Sequence, residues 1–151
     1  MTQQPAGYDD LDAQLDKLAA AGLLHTIDRL IDKDREMHPL VRWQYRGGIP
    51  EHRRKAFLFT NPTDAKGRRY PDARVAIGVF AATPEVYALG LGRKREDIGQ
   101  AWLDAMAHPV APKEVADAPC QEVVITGDEL LGEGKGLDAL PIPISTPGYD
   151  T

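Results

Sequence analysis

Leu11, Leu15 and Leu18 recur at helical spacing behind Asp9-Asp10, with Gly22 as a stop, so the pattern predicts an amphipathic first helix. A short strand is expected from Leu24 to Asp28, then a helix from Pro39 to Tyr45 ended by Gly47-Gly48. The apolar run Ala56 to Phe59 reads as a strand buried on both faces, Arg68 to Asp72 as a turn, and Val75 to Phe80 as the next strand. Thr83-Pro84-Glu85 sets a cap, a first-turn proline and an acid in the order a helix start requires, with Gly90 or Gly92 closing that helix. Ile98, Ala101, Trp102 and Ala105 share one face of a further helix that ends at His108-Pro109, and Glu122 to Thr126 reads as a last strand. Strands alternating with helices predict an α/β fold, with α+β left open, on a small mixed sheet flanked by helices.

Composition narrows the function classes. The 151 residues suffice for one ordinary core, and 42% hydrophobic with 27% charged residues is a globular balance. A net charge of -5 argues against nucleic acid, and the basic clusters Arg53-Arg54-Lys55, Arg68-Arg69 and Arg93-Lys94-Arg95 form no sustained stripe. The start has neither a charged n-region nor an apolar h-region, and no apolar run reaches membrane-spanning length, so a cytoplasmic protein without membrane contact is expected. The single cysteine, Cys120, agrees with a reducing compartment.

Candidate chemistry in the chain is sparse. Gly90-Leu91-Gly92-Arg93-Lys94-Arg95 lacks the third glycine of a dinucleotide fingerprint and reads as a helix cap. Gly132-Glu133-Gly134-Lys135-Gly136 lacks the outer glycine and the hydroxyl of a phosphate loop and reads as a loop. His25, His38, His52 and His108 have no metal-ligand spacing, although His38 and His52 could meet in space. The acids Asp28, Asp32, Asp34 and Glu36 lack the turn of a calcium loop and read as a solvated face. Cys120 is expected to enter a strand and pack as a small hydrophobe, and Trp43 and Trp102 to sit in the core. His38, Arg42 and Arg46 could together hold a carboxylate, but the polar face of a helix is the preferred reading. No catalytic, cofactor-binding or metal-binding residue is assigned.

Ala118-Pro119-Cys120-Gln121-Glu122-Val123-Val124, followed by Leu140-Pro141-Ile142-Pro143-Ile144-Ser145-Thr146-Pro147-Gly148, resembles the N-terminal region of the UbiD family of decarboxylases. Ala56-Phe57-Leu58-Phe59-Thr60-Asn61, Val75-Ala76-Ile77-Gly78 and the Thr83-Pro84-Glu85 helix start follow the order of the same family; His38 to Trp43 and Arg46 to Ile49 resemble a subset of it. The resemblance implies a disordered tail over 1–7, the family's N-terminal α/β domain over 8–140, and an extended Pro-rich connector over 141–151. That connector is expected to lead toward a flavin-binding split barrel and to need an apolar surface outside the chain.

Members of that family use prenylated FMN and a divalent metal, Mn or Mg, to remove carboxylate from aromatic or α,β-unsaturated acids. The flavin accepts the substrate's electrons as carbon dioxide leaves, and the protein supplies orientation and a proton donor. The family's metal ligands, flavin contacts and Glu-Arg-Glu catalytic set have no counterpart here. The resemblance therefore implies a truncated or split portion that binds no cofactor and is inactive alone. Its partners would be the flavin-binding and C-terminal domains, or a separate catalytic subunit, and indirectly a flavin prenyltransferase. A standalone assembly protein that docks onto a decarboxylase subunit through Ile142-Pro143-Ile144 is the alternative.

Overall fold

The computed structural model describes residues 7–146. The expected tail therefore falls outside the described residues except for Gly7, as does the end of the connector after Thr146. Helix α1 spans Leu11–Ala20, capped by the Asp10 carboxylate, which accepts from the Ala13 N–H at 2.8 Å. Strand β1 spans Leu24–Ile27 and β2 Ile31–Asp32, followed by α2 over Met37–Arg46. Pro39 is tolerated in α2 because it lies in the first turn, where N–H groups have no intrahelical acceptor. Then come β3 over Ala56–Phe59, β4 over Pro62–Thr63 and β5 over Val75–Ile77, before α3 over Pro84–Leu91 and α4 over Ile98–Ala107. A three-stranded mixed sheet with helices on its faces is the α/β layout that the hydrophobic pattern predicts.

β3 is the middle strand, parallel to β1 with Leu24 opposite Ala56 and antiparallel to β5 with Phe59 opposite Val75. β2 and β4 form a separate parallel pair. Alternation across the pleat divides the core in two. Ala56 and Leu58 face Leu15 and Leu18 of α1, Val86 of α3, and Val79 and Ala82. Phe57 and Phe59 face Ile31 of β2, Met37 and Val41 of α2, and Val75 of β5. A middle strand covered on both sides must be apolar at every position, which is why Ala56 to Phe59 carries no polar residue.

Two buried amides join helices to strand ends. Gln14 of α1 donates to the Val79 carbonyl at 3.0 Å. Gln44 of α2 donates to the Lys55 carbonyl at 2.9 Å and accepts from the Lys55 N–H at 3.0 Å, acting as one more strand residue at the start of β3. Thr83 caps α3 through the Val86 N–H, and Gly92, at φ 60°, ends it.

The structure departs from the sequence pattern in four places. β5 stops at Ile77 rather than Phe80, because Gly78 turns the chain at φ +76° and approaches Ala82 so closely that a Cβ there would lie 3.1 Å from the alanine methyl. Glu122 to Thr126 forms no strand; Pro119–Gln121 is a 3₁₀ turn and Cys120 on it is exposed, so it does not pack as a hydrophobe. α4 exists, but its apolar face is not covered: Trp102 is 51% exposed, and Leu103 and Met106 are exposed with it. Trp43 likewise lies outside the core, 67% exposed. Ile98 and Ala101 are half-buried, and the Trp102 indole N–H donates to the Tyr87 hydroxyl of α3 at 2.6 Å. A helix period shows which residues share a face, not whether another element covers it.

Candidate functional site

One face of α2 forms the floor of a groove of about 540 Å³ lined by Arg35, His38, Pro39, Arg42, Trp43 and Arg46. The opposite face of the helix, Met37, Val41 and Gln44, is buried, so heptad-like spacing turns every arginine of the helix outward. Ile144 and Ser145 of the Pro-rich segment close one side. Arg42 donates to the Ser145 carbonyl at 3.4 Å, and Pro141 is buried. The segment, as far as Thr146, therefore lies against α2 of its own chain. Ile142 stays 51% exposed while Ile144 is half-buried.

Trp43 folds back over the end of α2. A side chain at Gly47 would meet the indole nitrogen at 2.9 Å and the Trp43 carbonyl at 2.6 Å, so the glycine makes room for the ring. Below the groove, the loop before α2 is held by its own acids. The Asp32 carboxylate accepts from the Asp34 N–H at 2.8 Å and the Arg35 N–H at 3.2 Å, Asp34 pairs with Lys33 and accepts from the Ala65 N–H at 3.0 Å, and Glu36 accepts from the Asp32 N–H at 2.8 Å and pairs with Arg29 at 2.9 Å. These acids scaffold a loop rather than form a cation site. Asp28 contributes only its carbonyl, which accepts from the Asn61 amide.

Burial pushes the Asp34 carboxyl up, but the Lys33 ammonium, the Ala65 N–H and Arg35 outweigh it and hold the group below its ordinary range. The Arg29 guanidinium and the Asp32 N–H do the same for Glu36 against a smaller effect of burial. Both folded-state values are depressed, so the stability they confer is complete above the ordinary values of 3.8 and 4.5 and is lost as pH falls through the depressed ones. The thermal midpoint is expected to fall in acid below pH 4.5, and Glu36→Gln, which cannot titrate, to flatten part of that fall. An acid titration of thermal unfolding for both proteins checks this; equal slopes would exclude Glu36 as a contributor.

The remaining candidates do not converge. His25 on β1 packs edge-to-face on Phe57 at 5.6 Å. His52 lies on an exposed 3₁₀ turn over Glu51–Arg53, separate from the groove that His38 lines, and the His108 ring lies 3.2 Å from the Asp104 carbonyl at the end of α4. Gly90 and Gly92 belong to the end of α3. Gly132 to Gly136 forms turns, with Lys135 near Glu129 at 3.6 Å. Among the described residues no three His, Cys, Asp or Glu side chains come close enough to share a metal ion, and no helix is long and apolar enough to cross a membrane.

A larger cavity, about 1020 Å³, opens between α1, α3 and α4. Lys17, Arg93, Lys94, Asp97 and Asp104 line it with alanines and Leu89, and no aromatic side chain does. No ring is present there to stack on a flavin, so these residues do not fit a flavin nucleotide.

The stripe His38, Arg42, Arg46 was visible in the sequence as spacing. Its closure by Ile144 and Ser145 was not, because no local pattern reports a contact across a hundred residues. Compared with known proteins, residues 15–106, more than half of the chain, match the family described as 3-octaprenyl-4-hydroxybenzoate carboxy-lyase N-terminal domain. No solved structure matches the chain significantly.

Proposed function

Because the chain belongs to the UbiD family of carboxy-lyases, in which it matches the N-terminal domain, we propose that it serves a decarboxylase acting on an aromatic or α,β-unsaturated acid, with prenylated FMN and Mn or Mg held by another part of the enzyme. The family match over residues 15–106 carries this reading. The residues of the described fold do not fit the flavin or the metal, so no chemical step is assigned to them. Their part is architectural: a folded α/β unit beside flavin-binding and C-terminal domains, dependent on a flavin prenyltransferase for the cofactor. A cytoplasmic location suits this chemistry and the lone exposed Cys120.

The exposed side chains Trp102, Leu103 and Met106 of α4 favour a second reading, in which the chain assembles with a separately encoded catalytic subunit.

The chain, mixed with prenylated FMN, Mn and a panel of cinnamate-like and benzoate-like acids, is expected to release no carbon dioxide and to lose the flavin on desalting. Co-expression with the family's flavin-binding and C-terminal domains is expected to give co-elution and turnover. Turnover by the chain alone would overturn the proposal, as would failure of the parts to associate.

A further inference from the structure

His38, Pro39, Arg42, Trp43 and Arg46 stand at i, i+1, i+4, i+5 and i+8, a single face of α2, and Arg35 lies in the turn just before it. Arg29, Arg68, Arg74 and Arg95 each pair with a carboxylate, at 2.7 to 3.6 Å. Arg42 and Arg46 pair with no acid among the described residues, whereas Arg35 acts on Asp34, the one carboxylate on the groove wall, which Lys33 and the Ala65 N–H also hold. Arg42 and Arg46 are like charges one turn apart, which repel unless an anion lies between them. A chain of net charge -5 thus places two arginines, with no acidic partner among the described residues, at one concave site.

Pro39, the Trp43 indole and Ile144 add apolar surface to the lining, and Gly47 leaves the indole room over the helix end. The volume of about 540 Å³ lies in the range of small-molecule sites. A guanidinium presents a planar fork that matches a carboxylate's two oxygens, and an indole face accepts a planar apolar body. We propose that this groove is a binding site for a small organic acid whose carboxylate pairs with Arg42 and Arg46 and whose planar body lies between Trp43 and Ile144. The apolar wall selects such an acid over inorganic phosphate, which has no surface to place there. The site does not depend on the decarboxylase reading, and its test involves neither flavin nor turnover.

The purified chain is titrated with benzoate and with its uncharged analogue benzamide, and tryptophan fluorescence is followed. Benzoate is expected to quench saturably, and benzamide to bind about tenfold more weakly or worse. Trp43→Phe should abolish the signal, since Trp102 lies on α4, away from the groove. The double variant Arg42→Gln, Arg46→Gln should lose about tenfold in affinity with an unchanged circular dichroism spectrum, and Arg42→Lys, which keeps charge but not the fork, should fall between. Equal binding of benzoate and benzamide, unsaturable quenching, a signal that survives Trp43→Phe, or affinity unchanged in the arginine variants would each overturn the proposal. Displacement of benzoate by inorganic phosphate at equal concentration would overturn the assignment to an organic acid.

Discussion

Replacing Phe59 by alanine is expected to lower the stability of the fold by about 3–5 kcal/mol. Phe59 is the largest fully buried side chain among the described residues, at 0% exposure. It stacks on Phe57 with ring centres 5.8 Å apart and shares a cluster with Ile31, Met37, Val41 and Val75. Its backbone lies between Ile27 of β1 and Val75 of β5, so neither neighbouring strand can move into the space a missing ring would leave without breaking ladder hydrogen bonds. Domains of this size have about 5–15 kcal/mol in total, so the variant should be at or near the unfolding threshold. Urea titration with circular dichroism measures the loss directly. A loss below about 1 kcal/mol would mean that the two-faced core is looser than described.

Gln44→Ala is the second large effect, expected at about 2–3 kcal/mol. The amide satisfies both the N–H and the carbonyl of Lys55, and alanine leaves the two groups partly buried without partners. Gln44→Glu separates hydrogen bonding from packing. The carboxylate can accept from the Lys55 N–H but faces the Lys55 carbonyl with no proton to offer, so the folded state raises the pKa of the new acid. A raised folded-state value gives stability that is present at low pH and lost as pH rises through it. The glutamate variant should therefore grow more stable relative to the parent as pH falls, opposite in sign to the effect of Glu36. If Gln44→Ala and Gln44→Glu are equally destabilised at every pH, the amide clamp is not what holds α2 to β3.

Particular residues show why some elements were legible and others not. Ala56 to Phe59 read as a doubly covered strand because four consecutive apolar positions between polar flanks suit little else, and the structure covers both faces. Thr83-Pro84 marked α3 because caps act within one turn of the chain. Val123 and Val124 misled for the converse reason: β-branched residues fit a strand only if a neighbour pairs with them, and here they stand 75% and 66% exposed with no strand alongside. Trp43 and Trp102 misled through size alone, since a large ring prefers burial but the fold puts both on outward helix faces. The candidate groove was half legible. Arg42 and Arg46 follow from helical spacing, whereas their lack of an acidic partner among the described residues depends on the rest of the fold.

The middle position of β3 also sets the order in which the sheet can assemble. The chain from Phe59 to Val75 is about half as long as that from Ile27 to Ala56, so closing the antiparallel pair first saves about 0.6 kcal/mol of loop entropy, close to threefold in rate. On that order the parallel pairing of β1 is expected to follow, bringing α1 with it, with Leu15 and Leu18 sealing the second face last. Substitutions in β1 and α1 should accordingly speed unfolding, while those shared by β3 and β5 slow folding.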